Sequence, residues 1–162
     1  MTRPSELGFP KFVGVVHLPA LPGDPCASTS TTFTSVYDHA MGDAERLVSG
    51  GVDGLIVENF GSAPFYKGSE GHRIPPHQAA AITAVCAQIK SLFPEVTLGV
   101  NCLRNDAYTA LGIASATGAE FIRVNVHTGP YLTDQGVIEG AAAHTLSYRA
   151  SLGSNQPKIW AD

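Results

Sequence analysis

Charge is scarce in this sequence and is nowhere concentrated. Lys and Arg number 10 and Asp and Glu 14, giving a formal net charge of −4 with no basic run. Nucleic-acid binding needs a cationic patch to displace phosphate counterions, so no nucleic-acid partner is expected. An anionic membrane surface is disfavoured on the same ground. Cysteine is sparse too: Cys26, Cys86 and Cys102 are odd in number, far apart and without CxxC spacing. They read as buried free thiols in a reducing compartment rather than a disulfide framework or a zinc site. Long apolar runs are missing as well. The best, Phe12 to Leu21, is interrupted by Pro19, which leaves no transmembrane segment, and MTRPSELGFPKF does not read as a secretory signal. A soluble, cytoplasmic protein of the cytosol or stroma is the expectation. There is also no GxGxxG and no Walker loop to cradle a nucleotide.

What is present is a regular alternation. Apolar residues make up 44% of 162 positions, enough for a real core. Strand patterns fall at Phe12–Leu18, Gly54–Glu58, Thr97–Leu103, Phe121–Val126 and Lys158–Asp162. They are short and mostly β-branched, as strands covered on both faces are. Between them, Tyr37, Ala40, Met41, Ala44, Leu47 and Val48 recur at helical spacing, as do Ile82, Val85, Ile89 and Leu92 behind Pro75 and Pro76. A third, Ala-rich helix is predicted near Asp106 to Thr117, with Asp106 at or beside its N-cap. A fourth is predicted from about Gly136 to Leu152, with Thr133 or Asp134 as N-cap. Gly50-Gly51 and Gly118 stand where left-handed residues end helices just before strands.

Strict alternation of strand and helix requires parallel pairing with right-handed crossovers. An open doubly wound sheet and a closed barrel both satisfy it. In the fourth strand pattern Arg123, Asn125 and His127 share one face and Ile122, Val124 and Val126 the other. Polar residues there would be costly under a helical layer, whereas a barrel can turn them toward an interior pocket. The fold class is therefore α/β, a partial (β/α) barrel of about five strands. Residues 1–11 form an N-terminal tail and 12–162 the incomplete barrel domain. A full barrel takes about 250 residues, so the chain reads as cut short. A second copy in a homo-oligomer is one way to complete it.

Barrel active sites gather at the carboxyl ends of the strands. Those positions hold His17, Glu58, Asn101, Arg123, Asn125 and His127, which form the candidate pocket, with Asp162 ending the fifth strand. His17 has a turn-forming reading equal to its functional one, and Arg123 has a structural one as the ion-pair partner of Glu58. Asn59 and Asn105 read as turn formers. His127, extending the face of Arg123 and Asn125, is the leading single candidate. His39, His72 and His144 read as solvated. His17, Glu58, His127 and Asp162 carry donors suited to a divalent metal, although nothing in their spacing is specific for one.

The segments GVVHLPALPG, GGVDGLIVENFGSAPF, LGVNCLRNDA, GAEFIRVNVHTG and TDQGVIEG resemble the BtpA family, which includes SgcQ-like proteins. The resemblance runs from about Phe12 to Asp162. It implies a barrel of the ribulose-phosphate-binding type. In phototrophs it implies a role in the biogenesis or stability of photosystem I, with photosystem or thylakoid components as partners and a peripheral thylakoid location. It carries over no catalytic residues. The chain departs from the family pattern by stopping at the fifth strand and by a longer Lys67–His77 segment. Three readings follow: an assembly factor for a photosynthetic complex, an enzyme or binder of a phosphorylated sugar or nucleoside, and a fragment without independent activity.

Overall fold

The computed structural model describes residues 10–153 and 156–162, so most of the expected tail at 1–11 lies outside the described residues. Five strands form one parallel sheet in the order β1 (Val13–His17), β2 (Gly54–Glu58), β3 (Thr97–Asn101), β4 (Phe121–Val124) and β7 (Lys158–Ala161). A small hairpin, β5 (Pro130–Thr133) with β6 (Gly136–Glu139), interrupts the β4–β7 connection. The strand order never reverses, which sets this sheet apart from a doubly wound one. It is the arc of a partial (β/α) barrel: five strands are in place, and β1 and β7 are not paired with each other.

The helices are α1 (Phe33–Ser49), α2 (Pro76–Leu92), α3 (Ala107–Thr117) and α4 (Ala142–Ser151). Each boundary has a local cause. A capping box of Thr32 and Ser35 opens α1. Pro76 occupies the first turn of α2, where a missing N–H costs nothing. The Asp106 carboxylate caps α3 through Thr109 N–H, and Gly118 ends it with φ +76°.

The two sheet faces have different uses. Val16, Leu55, Val57, Leu98, Val100, Ile122 and Val124 meet the helices and, with Val36, Ala40, Ile82, Ile89, Ala110 and Leu111, form the core. The other face is the inside of the arc. Its lower part is apolar: the Phe121 ring stacks on Trp160 at 3.8 Å between centroids and covers Gly99, where a Cβ would collide with it.

The third strand ends at Asn101 instead of Leu103, and two further expectations are corrected. The segment from Gly136 is not one helix: Asp134 and Gln135 are the turn of the hairpin, and α4 begins only at Ala142, behind Ala141 rather than Thr133 or Asp134. The fourth strand stops at Val124 instead of Val126. There the Asn105 amide takes over, donating to Val126 C=O and accepting from Val126 N–H at 2.8 Å each, which ends the strand's alternation.

Candidate functional site

Register aligns the carboxyl ends of the strands. His17 pairs with Glu58, and Glu58 with Asn101, in adjacent parallel strands, so all three side chains emerge on the inner face at one level. Glu58 is the centre. Its carboxylate accepts a 2.6 Å hydrogen bond from Asn101 Nδ2, lies 3.5 Å from His17 Nε2 through Oε1, and 3.5 Å from Arg123 Nη1 through Oε2. Only 6% of its side chain is exposed, against 50% for His17 and 33% for Arg123. A buried carboxylate thus sits beneath two cation-capable groups that reach solvent.

Arg123 is shared with a second carboxylate. Its Nε and Nη2 donate to Asp162 at 3.1 and 2.7 Å, a fork-on-fork pair. The Asp162 hydrogen bonds, foremost, keep the guanidinium more firmly protonated than usual; burial opposes this and the Asp162 and Glu58 charges add to it. Asn125 Nδ2 donates to Asp162 at 3.3 Å, while its Oδ1 is buried without a hydrogen-bond partner. An orphaned acceptor at the edge of a polar cluster is a place where a ligand hydroxyl or amine can donate. Phe60, in a 3-10 turn at Phe60–Ser62 after β2, stacks on the His17 ring at 4.5 Å and fixes its plane.

Five of the six candidates, His17, Glu58, Asn101, Arg123 and Asn125, therefore converge, joined by Asp162. His127 does not join them. Once Asn105 has bound Val126, the chain turns aside, and His127 lines a separate cleft with Leu146 and Arg149 of α4 and Ile159 and Ala161 of β7. Its Nδ1 is buried and unpartnered there. The proposed donor set His17, Glu58, His127 and Asp162 is accordingly not gathered at one point. Among the described residues, no group of three His, Cys, Asp or Glu is placed to hold a metal ion. Nor, among them, is any helix long and apolar enough to cross a membrane.

A supporting network lies behind the cluster, and sequence reading missed it. Asp24, from the loop after β1, accepts from Leu21 N–H (2.8 Å), Gln78 Nε2 (2.7 Å) and the His77 ring (3.0 Å). Burial pushes the Asp24 carboxyl up, but these bonds and the Ser62 hydroxyl beside it outweigh burial and hold it below its ordinary value. Gln78 Oε1 accepts from Asn59 Nδ2 at 3.0 Å, and Asn59 also exchanges bonds with both backbone groups of Leu103. Asn59 C=O closes the turn with Ser62 N–H at 3.0 Å, as a turn former does, and its fully buried side chain also ties the loops after β2 and β3 to the first turn of α2. Asp106, besides capping α3, binds Ile74 N–H at 2.9 Å and Arg73 Nη1 at 3.0 Å. Asp24 and His77 stand 53 positions apart, so no local pattern could have paired them.

The family model described as the BtpA family matches residues 10–162. Among similar proteins, the photosystem I biogenesis protein BtpA of Synechocystis is 47% identical over 88% of this chain and 47% of its own length. An uncharacterized protein of Pyrococcus furiosus is 41% identical over 93% of the chain and 55% of its own length. An uncharacterized mitochondrial protein of Caenorhabditis elegans is 31% identical, with 94% and 54% covered. The chain spans about half the length of the curated relatives it matches.

Proposed function

This chain belongs to the BtpA family, and from that premise we propose that the family's barrel binds a small phosphorylated sugar or nucleoside around Glu58. The observation that carries the reading is the buried Glu58 carboxylate, held at the strand ends by Asn101 at 2.6 Å with His17 and Arg123 3.5 Å away. A carboxylate in that setting accepts hydrogen bonds from ligand hydroxyls with little competition from water, and beside an imidazole it can take up and return a proton. His17, half exposed, is the group able to exchange that proton with solvent. Arg123 gives Nε and one Nη2 hydrogen to Asp162 and turns Nη1 toward Glu58, which leaves its remaining N–H groups for an anionic substituent, while Asn125 Oδ1 can accept from a hydroxyl. A soluble cytoplasmic setting suits such a ligand.

A second reading is favoured by the printed name of the Synechocystis relative: a role in photosystem I biogenesis, with photosystem or thylakoid components as partners. The nematode relative weighs against it as the family's general role, because animals build no photosystem. The two readings separate in one experiment. Thermal-shift screening of this chain and of the full-length Pyrococcus furiosus relative against sugar phosphates and nucleotides, with and without divalent ions, is expected to give at least one ligand that raises Tm in both. A panel without any stabilising compound would overturn the metabolite reading and leave the assembly role as the better one.

A further inference from the structure

We propose that the cavity between the β2–α2 loop, the start of α3 and the hairpin is a second binding site, for a small hydroxylated or aminated metabolite bearing one phosphate or carboxylate. It shares no lining residue with the Glu58 cluster and stands whether or not that cluster binds anything. Its volume is about 540 Å³, within the range of small-molecule sites. Lys67, Arg73, Asn105, Tyr108, Glu139 and Thr145 are among its walls.

The walls are built rather than incidental. Gly68, at φ +89°, presses its backbone so closely on Asn105 and Asp106 that a Cβ would not fit. Asn105 grips Val126 at both N–H and C=O, and Lys67 Nζ donates to Val137 C=O at 3.2 Å. The loops after β2, β3 and β4 are therefore tied to one another around the space. Arg73 is held by Asp106 at 3.0 Å and lies over the Tyr108 ring at 4.0 Å, while Tyr108 stacks on Tyr148 at 3.7 Å. A guanidinium fixed from two sides loses little freedom on meeting a ligand.

The lining also selects. Lys67 spends one of its three ammonium donors on the carbonyl, so the rest can meet an anion, as can the N–H groups of Arg73 not facing Asp106. Glu70 and Glu139, both exposed, line the same cavity. They disfavour a bare polyanion and accept hydrogen bonds from hydroxyl or amino groups. A ligand with an anionic end and donor groups elsewhere satisfies both sets.

The test is amide-resolved NMR titration of the full chain with glycerol 3-phosphate and, separately, glycerate, which share a hydroxylated backbone and differ in the anion. Shifts are expected at residues 67–73, 105–108 and 137–145, with binding in the millimolar range. The tighter of the two arms identifies the preferred anion. Lys67→Met, its spectrum otherwise unchanged, should weaken binding about tenfold, the loss of one charge-assisted contact, and Lys67→Arg should restore most of it. The proposal is overturned if neither compound moves these amides, if shifts are confined to the ends of β1 to β4, or if Lys67→Met binds as the wild type does.

Discussion

Replacing Asn59 by alanine should unfold this protein far more readily than its loop position suggests. The side chain is fully buried. Its Oδ1 accepts from Leu103 N–H at 2.7 Å and its Nδ2 donates to Gln78 Oε1 at 3.0 Å and, more weakly, to Leu103 C=O at 3.4 Å. Alanine strands the Leu103 donor and the Gln78 acceptor in a dry environment, each orphan costing about 1–3 kcal/mol. Neither can recover: turning the Gln78 amide would set its oxygen against the Asp24 carboxylate, to which Nε2 donates at 2.7 Å, and Leu103 N–H is fixed in the backbone. A net loss of about 3 kcal/mol follows, or a fall in Tm of roughly 6–12 °C for a domain of this size. Urea unfolding followed by Trp160 fluorescence and by far-UV circular dichroism measures it. Asn59→Asp sharpens the test: it keeps an acceptor for Leu103 N–H, but sets a carboxylate against Leu103 C=O and Gln78 Oε1, and should be no more stable than the alanine variant. A loss below about 1 kcal/mol for Asn59→Ala, with unchanged m, would refute the network reasoning.

Other outcomes follow from the same packing. Gly99→Ala drives a methyl into the Phe121 ring, which the stacked Trp160 keeps from swinging away, and should cost about 1–3 kcal/mol by urea titration. Cys26 is exposed, not buried as expected, so in native protein a disulfide reagent should titrate it alone, because burial raises the Cys86 and Cys102 thiols well above the ordinary range; denaturant should release all three. Asp24, whose folded pKa is lowered, contributes stability that is fully present above the unfolded value and lost as pH falls through the folded one. Acid titration of wild type should therefore show a loss below about pH 4 that Asp24→Asn lacks.

The parallel sheet was readable because short, mostly β-branched runs alternate with helical patterns, two of which end in their own glycine stop signal. Gly118 at φ +76° and Gly51 at +91° take the left-handed conformation that their positions before β4 and β2 suggest. The hairpin was not readable by the same means. Val137 and Ile138 fit a helical period with the alanines beyond them, and only the Thr133–Gly136 pairing across Asp134 and Gln135 reveals the turn. The polar strand ends were legible one at a time, since each closes an apolar strand. His127 was misplaced for a definite reason: alternation was carried past Val124, where Asn105 ends it from another loop. Asp24, Asn59, Gln78 and Asp106 gave no signal of their joint role. Buried hydrogen bonds spanning 19 to 54 positions leave no periodic trace in a single sequence.

The most direct measurement is the calorimetric dissociation constant of a stabilising sugar phosphate or nucleotide for wild type and for Glu58→Gln. The substitution keeps the shape while removing the charge beside His17 and Arg123. An affinity at least tenfold weaker in the variant is the result expected from losing a buried charged acceptor. Equal affinity in the two proteins would contradict the account, because the ligand would then be held without the carboxylate on which the strand ends converge.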